Sequence, residues 1–201
     1  MTSPIRLAYV EAAGAARALL ASTRLAERWH DRSALAGMDV AELAKHLARH
    51  VLVVDRVLDD EAPRRGDPVT AAQYYLTPIP SAPDPDAEDS RALLEQVDAA
   101  LTSLRGRIGS EPPQRLVRAP GDVTMLLDEY LVTRIVELVV HSDDLAVSVG
   151  EPTPVFGPVT TACAIGCLLE VARSRSGDLA VVRAMVRPDR DVRPALPFAL
   201  G

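Results

Sequence analysis

The sequence predicts an all-α protein, an antiparallel four-helix bundle with one or two further helices at its C-terminal end. Three observations predict it. Apolar residues recur at helical spacing over several long stretches, and no stretch alternates strongly enough to make a sheet. The hydrophobic content is 48% but aromatics are only 3%, so the interior has to be built from Leu, Val and Ala, which suits packed helices. At 201 residues the chain is long enough to bury a core of its own.

The elements follow in order. The first helix is expected from Ser3 to Arg28, with Trp29 just past its end. A connection, HDRSALAG, leads to a second helix that starts at Asp39, where Glu42 three residues later completes a capping box. That helix runs to Leu58 with Val40, Leu43, Leu47, Val51, Val54 and Leu58 as its buried stripe. From Asp59 to Ser90 the pattern breaks into a segment rich in Pro and acidic residues, read as a long loop. Tyr74 and Tyr75 lie in it, so it is either a cover over a pocket or a solvated connector. A third helix spans Asp89 to Ile108, and GSEPPQRLVRAPG is a linker of helix breakers. The fourth helix runs from Asp122 to Val149 and stops at Gly150. A last pair, Val159 to Arg175 and Leu179 to Arg187, precedes an irregular tail. Residues 1–150 are thus expected to form the bundle, and 151–201 a helical extension packed on it.

The formal charge of −6 and a pI near 5.2 leave no basic stripe for phosphates, which argues against nucleic acid. The apolar runs are too short to span a bilayer, and MTSPIRLAYVEAA lacks a basic-then-apolar signal pattern. A cytoplasmic protein without a membrane partner is expected. Cys163 and Cys167 are too few for a disulfide framework and sit in an apolar helical segment, as small core residues do.

The fourth helix carries the chemistry. Val123, Leu126, Leu127, Tyr130, Leu131, Leu138 and Leu145 gather into one stripe, and Arg134, Glu137 and His141 fall in its middle, with Asp144 at its edge. A carboxylate among valines loses several kcal/mol on burial unless it is paired. Glu137 and His141 are four apart and can converge on one point. Either a metal or an internal salt bridge sits there. Arg134 and Glu137, three apart, allow an ordinary intrahelical ion pair.

His46 and His50 share a side of the second helix, about 90° and about 50° from the centre of its stripe, so periodicity slightly favours His50 as the inward one. His30 lies in the connection and is read as a surface residue. A lone histidine beside an apolar face is usually a hydrogen-bonded structural residue. Here a carboxylate and an imidazole on one stripe face an imidazole pair on another helix, and such a donor set suits zinc with an open coordination position.

GMDVAELAKHLARH, followed downstream by TRIVELVVHSDDLAVSVG, resembles the N-terminal domain of the mycothiol-dependent maleylpyruvate isomerase family, part of the wider DinB-like group. The first block carries Gly37, Met38, Asp39, Val40, Leu43, His46 and Leu47, with Asp39 in place of the usual Thr. The second carries Arg134, Glu137, His141, Asp144 and Leu145. The resemblance implies a DinB-like bundle and a metal, typically zinc, held by His46, Glu137 and His141. His50 then becomes a residue lining the pocket. The family's isomerase has a C-terminal α/β domain, where this chain has about fifty helical residues, which departs from that pattern.

The function implied is a metal-dependent transferase or isomerase that uses mycothiol as co-substrate on a small electrophilic substrate, with a homodimer as a further option. Arg134 would neutralise an anionic substrate or orient Glu137, and Asp144 would fix the tautomer of His141. The alternative is a non-catalytic binding or regulatory bundle with a structural or vestigial metal. A ferritin-like di-iron oxidase needs carboxylates on all four helices and two Glu-x-x-His pairs, which the sequence lacks.

Overall fold

The computed structural model of the protein describes residues 3–63, 66–78 and 83–187. The expectation of an irregular tail after Arg187 lies outside the described residues. Eight α-helices and a small hairpin make up the described chain: α1 (Pro4–Leu20), α2 (Thr23–Glu27), α3 (Val40–Asp59), α4 (Ala71–Leu76), α5 (Ser90–Arg107), β1 (Leu116–Ala119), β2 (Val123–Leu126), α6 (Leu127–Val149), α7 (Pro158–Ser176) and α8 (Asp178–Val186). The fold is an all-α bundle with extra C-terminal helices.

Four helices make the bundle. α6 packs on α1 and α3, and α5 packs on α3 and α1, so the long helices enclose one core. Ala8, Ala12, Ala13 and Ala16 are the buried face of α1, and such small side chains let it approach α6 closely. The α3 stripe is buried as its spacing predicts, from Val40 through Leu43, Leu47, Val51 and Val54 to Leu58. Its N-terminus is closed by both halves of the capping box: Glu42 N–H donates to Asp39 Oδ1 at 2.8 Å, and Asp39 N–H donates to Glu42 Oε2 at 2.8 Å. α7 packs against α6 and α1.

Four features depart from the sequence expectation. The first helix is two: α1 ends at Leu20, and the Ser22 hydroxyl accepts from Arg24 N–H to start α2. The linker and the first turn of the fourth helix form an antiparallel hairpin, with Leu116 opposite Leu126 and Ala119 opposite Val123. Its reversal runs through Pro120, Gly121 and Asp122, where Gly121 has φ 78°. α6 therefore begins at Leu127 rather than Asp122, and it has no side-chain cap; Leu127 N–H donates to the Arg115 carbonyl of the facing strand at 2.8 Å instead. Finally, the Pro-rich stretch contains α4, a short helix with its own capping box between Thr70 and Gln73. Ala71 N–H donates to Glu129 Oε2 at 2.7 Å, which ties the start of α4 to α6.

α6 stops where expected. Gly150 adopts a left-handed conformation with φ 74°, and Glu151 N–H donates back to the Ala146 carbonyl at 2.9 Å. The interior is not wholly apolar. Arg6 of α1 is buried, with its Nε on Asp128 at 2.8 Å and its NH2 on the Pro112 carbonyl at 2.9 Å, so it pins α1 to the start of α6.

Candidate metal centre

Where α3 crosses α6, the two i,i+4 pairs meet. His46 and His50 come from α3, Glu137 and His141 from α6, and one ligand atom from each lies within 4.8 Å of all the others. Each of the four is no more than 3% exposed. The ring centroids of His46 and His141 are 4.7 Å apart, edge to face, and those of His50 and His141 are 6.1 Å apart and stacked. The helical wheel had set His46 and His50 as rivals; α3 brings both into the cluster.

Two carboxylates hold His141. Its Nε2 lies 3.1 Å from Glu137 Oε2 and its Nδ1 lies 3.0 Å from Asp144 Oδ2. Burial disfavours the charged ring, but the bonds to Glu137 and Asp144 outweigh it, and the His141 pKa rises. Burial likewise pushes Glu137 up; the His141 bond, then the Arg134 charge, reverse this and leave it below the ordinary glutamate range. Both shifts favour the charged pair, an imidazolium against a carboxylate.

His46 is different. Burial, then the charge of Arg49, bring its pKa down to about 4, so its ring is neutral near pH 7 with a lone pair to offer. Asp84 Oδ1 stands 3.6 Å from its Nδ1, and Arg49 NH2 stands 3.4 Å from its Nε2. Arg49 and Asp84 are themselves an ion pair, with NH1 3.0 Å from Oδ1. The Asp84 side chain is 35% exposed and marks an edge where the cluster nears solvent.

The guanidinium of Arg134 is turned toward His50. Its Nε donates to Thr133 Oγ1 at 3.0 Å, its NH1 lies 2.9 Å from His50 Nδ1, and its guanidinium covers the Tyr130 ring at 5.1 Å from the centroid. It thus stands behind His50, and its charge also acts on Glu137. The pKa of His50 falls well below the usual value, through burial and then the Arg134 charge.

Arg49 and Asp84 had no assigned place in the sequence reading, and Tyr75 only a place in a segment that was either a pocket cover or a connector. Tyr75 of α4 reaches Glu137, with its hydroxyl 2.8 Å from Oε1 and 2.9 Å from the Thr133 carbonyl. The capping pair Thr70 and Gln73 is the signal that could have placed Tyr75 on a helix. Arg49, three residues past His46, was readable as lying near that face of α3. Asp84 carries no sequence signal. Cys167 is buried, and burial followed by Glu129 and Glu137 pushes its thiol up to about 12, so it is inert as a nucleophile at neutral pH. His30 is exposed.

The donors fit a metal. Imidazole nitrogens with one carboxylate are the zinc-type set; a tetrahedral ion with bonds of about 2.0–2.1 Å spaces its donors roughly 3.4 Å apart, and the ligand atoms here lie within 4.8 Å of one another. The cluster also holds an orphan, since the buried His50 Nε2 has no hydrogen-bond partner among the described residues. No helix among the described residues is long and apolar enough to cross a membrane.

Compared with known proteins, the chain matches the family described as Mycothiol maleylpyruvate isomerase N-terminal domain over residues 9–146. The matched span contains every donor of the cluster. No curated protein and no solved structure matches the chain.

Proposed function

Because the chain belongs to the mycothiol maleylpyruvate isomerase N-terminal domain family, we propose that it is a metal-dependent, mycothiol-dependent transferase or isomerase acting on a small electrophilic substrate. One observation carries the reading: His46, Glu137 and His141 converge in the buried crossing of two helices, as a zinc-type donor set does. These three would hold the metal, zinc by its donor set. When bound, a divalent ion supplies Lewis acidity, which lowers the pKa of a thiol so that thiolate is populated near neutral pH.

The chain's own residues prepare the donors. With a metal bound, Asp144 would accept from Nδ1 of His141 and so leave the Nε2 lone pair for the ion. The Asp84 carboxylate beside Nδ1 of His46 favours the same tautomer there. Tyr75 occupies Oε1 of Glu137 and leaves Oε2 directed at His141. Burial of the donors excludes bulk water, which strengthens every charge interaction among them.

The reaction adds the thiol to an electrophilic carbon. The S–H proton passes to solvent, a sulfur lone pair forms the C–S bond, and the displaced π pair moves onto the conjugated oxygen of the substrate. In transfer that oxygen or its carbon regains a proton and the C–S bond remains. In isomerisation a bond rotates, the pair returns and the sulfur leaves unchanged. The test is turnover of mycothiol with a panel of electrophiles, with and without a chelator. Consumption of electrophile that stops on chelation is expected. Specific capture of a protein partner by the metal-bound chain, with no thiol turnover, favours a non-catalytic binding bundle instead.

A further inference from the structure

His50 differs from the other two histidines in what stands at its Nδ1. His141 and His46 have carboxylates there, at 3.0 and 3.6 Å. His50 has Arg134, whose NH1 is 2.9 Å away. A guanidinium has only donors. The His50 Nδ1 must therefore carry the lone pair, and the ring's single proton sits on Nε2. Arg134 is 6% exposed and is held by Thr133 Oγ1 and the Tyr130 ring, so this contact is anchored on its far side.

The resulting Nε2–H points into the cluster without an acceptor at hydrogen-bond distance among the described residues. It is buried and has no hydrogen-bond partner among the described residues, where the nearest carboxylate oxygen, Glu137 Oε2, is 3.7 Å off and already bonded to His141. For His50 to serve as a ligand through Nε2, its proton would have to move to Nδ1, where it would meet the Arg134 N–H donor head-on. A buried donor left unmade is unfavourable, and an acceptor brought in from outside relieves it.

We propose that His50 is not a metal ligand but a fixed N–H donor, aimed by Arg134, that binds the anionic acceptor atom of the small molecule taken up at the centre. This rests on the three-donor metal reading, under which that atom is the thiolate sulfur. His50 is then a catalytic residue in contact with substrate, and Arg134 is a positioning residue acting through it.

The experiment has three arms on the full-length chain. Nitrogen-15 imidazole NMR of the metal-free wild type should show His50 as the Nε2–H tautomer, and Arg134→Met should lose that preference. Zinc titration against a chromogenic chelator should leave His50→Ala within about 10-fold of wild type, the mild end of the effect of removing a neighbour of a ligand, whereas His46→Ala should lose about 100-fold or more. In the cobalt-loaded protein, 2-mercaptoethanol should bind about 10-fold more weakly to His50→Ala, with part of the loss restored in His50→Gln, which keeps an N–H donor. A Nδ1–H tautomer, a zinc loss in His50→Ala equal to that in His46→Ala, or unchanged thiol affinity overturns the proposal while leaving the metal centre standing. A wild type that binds neither zinc nor cobalt removes the metal reading itself, and the inference with it. If His50→Ala does not fold, His50→Gln and the wild-type NMR decide the question.

Discussion

The hydroxyl of Tyr75 lies 2.8 Å from Oε1 of Glu137, although the two residues are 62 apart in sequence. The contact joins α4, in the Pro-rich segment, to the buried carboxylate of α6. Removing the hydroxyl in Tyr75→Phe leaves Oε1 without that partner and frees the carboxylate to rotate. The expected results are a metal affinity lower by about 10- to 100-fold and an unfolding free energy lower by about 1 kcal/mol. Chelator competition and urea unfolding read them; unchanged affinity would show that the contact does not orient the ligand.

The cap of α4 bears on the same carboxylate through Tyr75. Thr70→Ala removes the hydroxyl that accepts from Gln73 N–H and should destabilise α4 by about 1 kcal/mol. Because α4 carries Tyr75, the loss should also appear as weaker zinc binding, although Thr70 touches no donor of the cluster. Equal zinc affinity in Thr70→Ala and wild type would separate the cover from the centre.

Asp144 is half-buried and bonded to Nδ1 of His141. Asp144→Asn keeps the shape but loses the charge that fixes the tautomer. Zinc affinity should fall about 10- to 100-fold. In the metal-free protein the His141 pKa should come down from its raised position, which a histidine NMR titration follows. A His141 pKa that stays put would assign its elevation to Glu137 alone.

The metal-free protein should be most stable near pH 6.5. The folded-state pKa of His141 is raised above its ordinary 6.5. Above that ordinary value the native state holds the proton more tightly than the unfolded chain, so stability falls as pH rises through the folded-state pKa. His46 is the opposite case, with a folded-state pKa of about 4. Between 6.5 and 4 the unfolded chain takes up the proton first, and stability falls as pH drops. Glu137, held below the ordinary carboxylate range, adds a further loss as pH falls through its own folded value. Urea unfolding with chelator present, for wild type against His141→Gln and His46→Gln, should show the alkaline arm vanish in the first variant and the acid arm shrink in the second. Arms unchanged by either substitution would place the titration elsewhere.

The long helices were legible because their signals are local and repeated. The α3 stripe from Val40 to Leu58, the Asp39–Glu42 box and the stop at Gly150 each rest on spacing within one segment. The hairpin was not. Its strands are four residues each, and β2 runs straight into the apolar start of α6, so VTML reads as one more helical turn until its pairing partner is known. The break at Ala21 was hidden by good helix formers on both sides of Ser22. At the centre, the i,i+4 pairs on α3 and α6 could be seen as candidates because each lies on one helix. Nothing local says that Arg134 faces His50, that Asp84 stands by His46 or that Tyr75 reaches Glu137, because each contact joins segments that only packing brings together. The surroundings of the two α3 histidines differ through those contacts, not through their angles on the wheel.

The central claim is a metal ion held by His46, Glu137 and His141, and zinc content measured on the purified chain tests it most directly. About one equivalent per chain is expected in the wild type, the number that one cluster of this donor set can hold, with loss of the metal in His46→Ala, Glu137→Ala and His141→Ala. A wild type that takes up no divalent ion, or a His141→Ala variant that keeps a full equivalent, would contradict it.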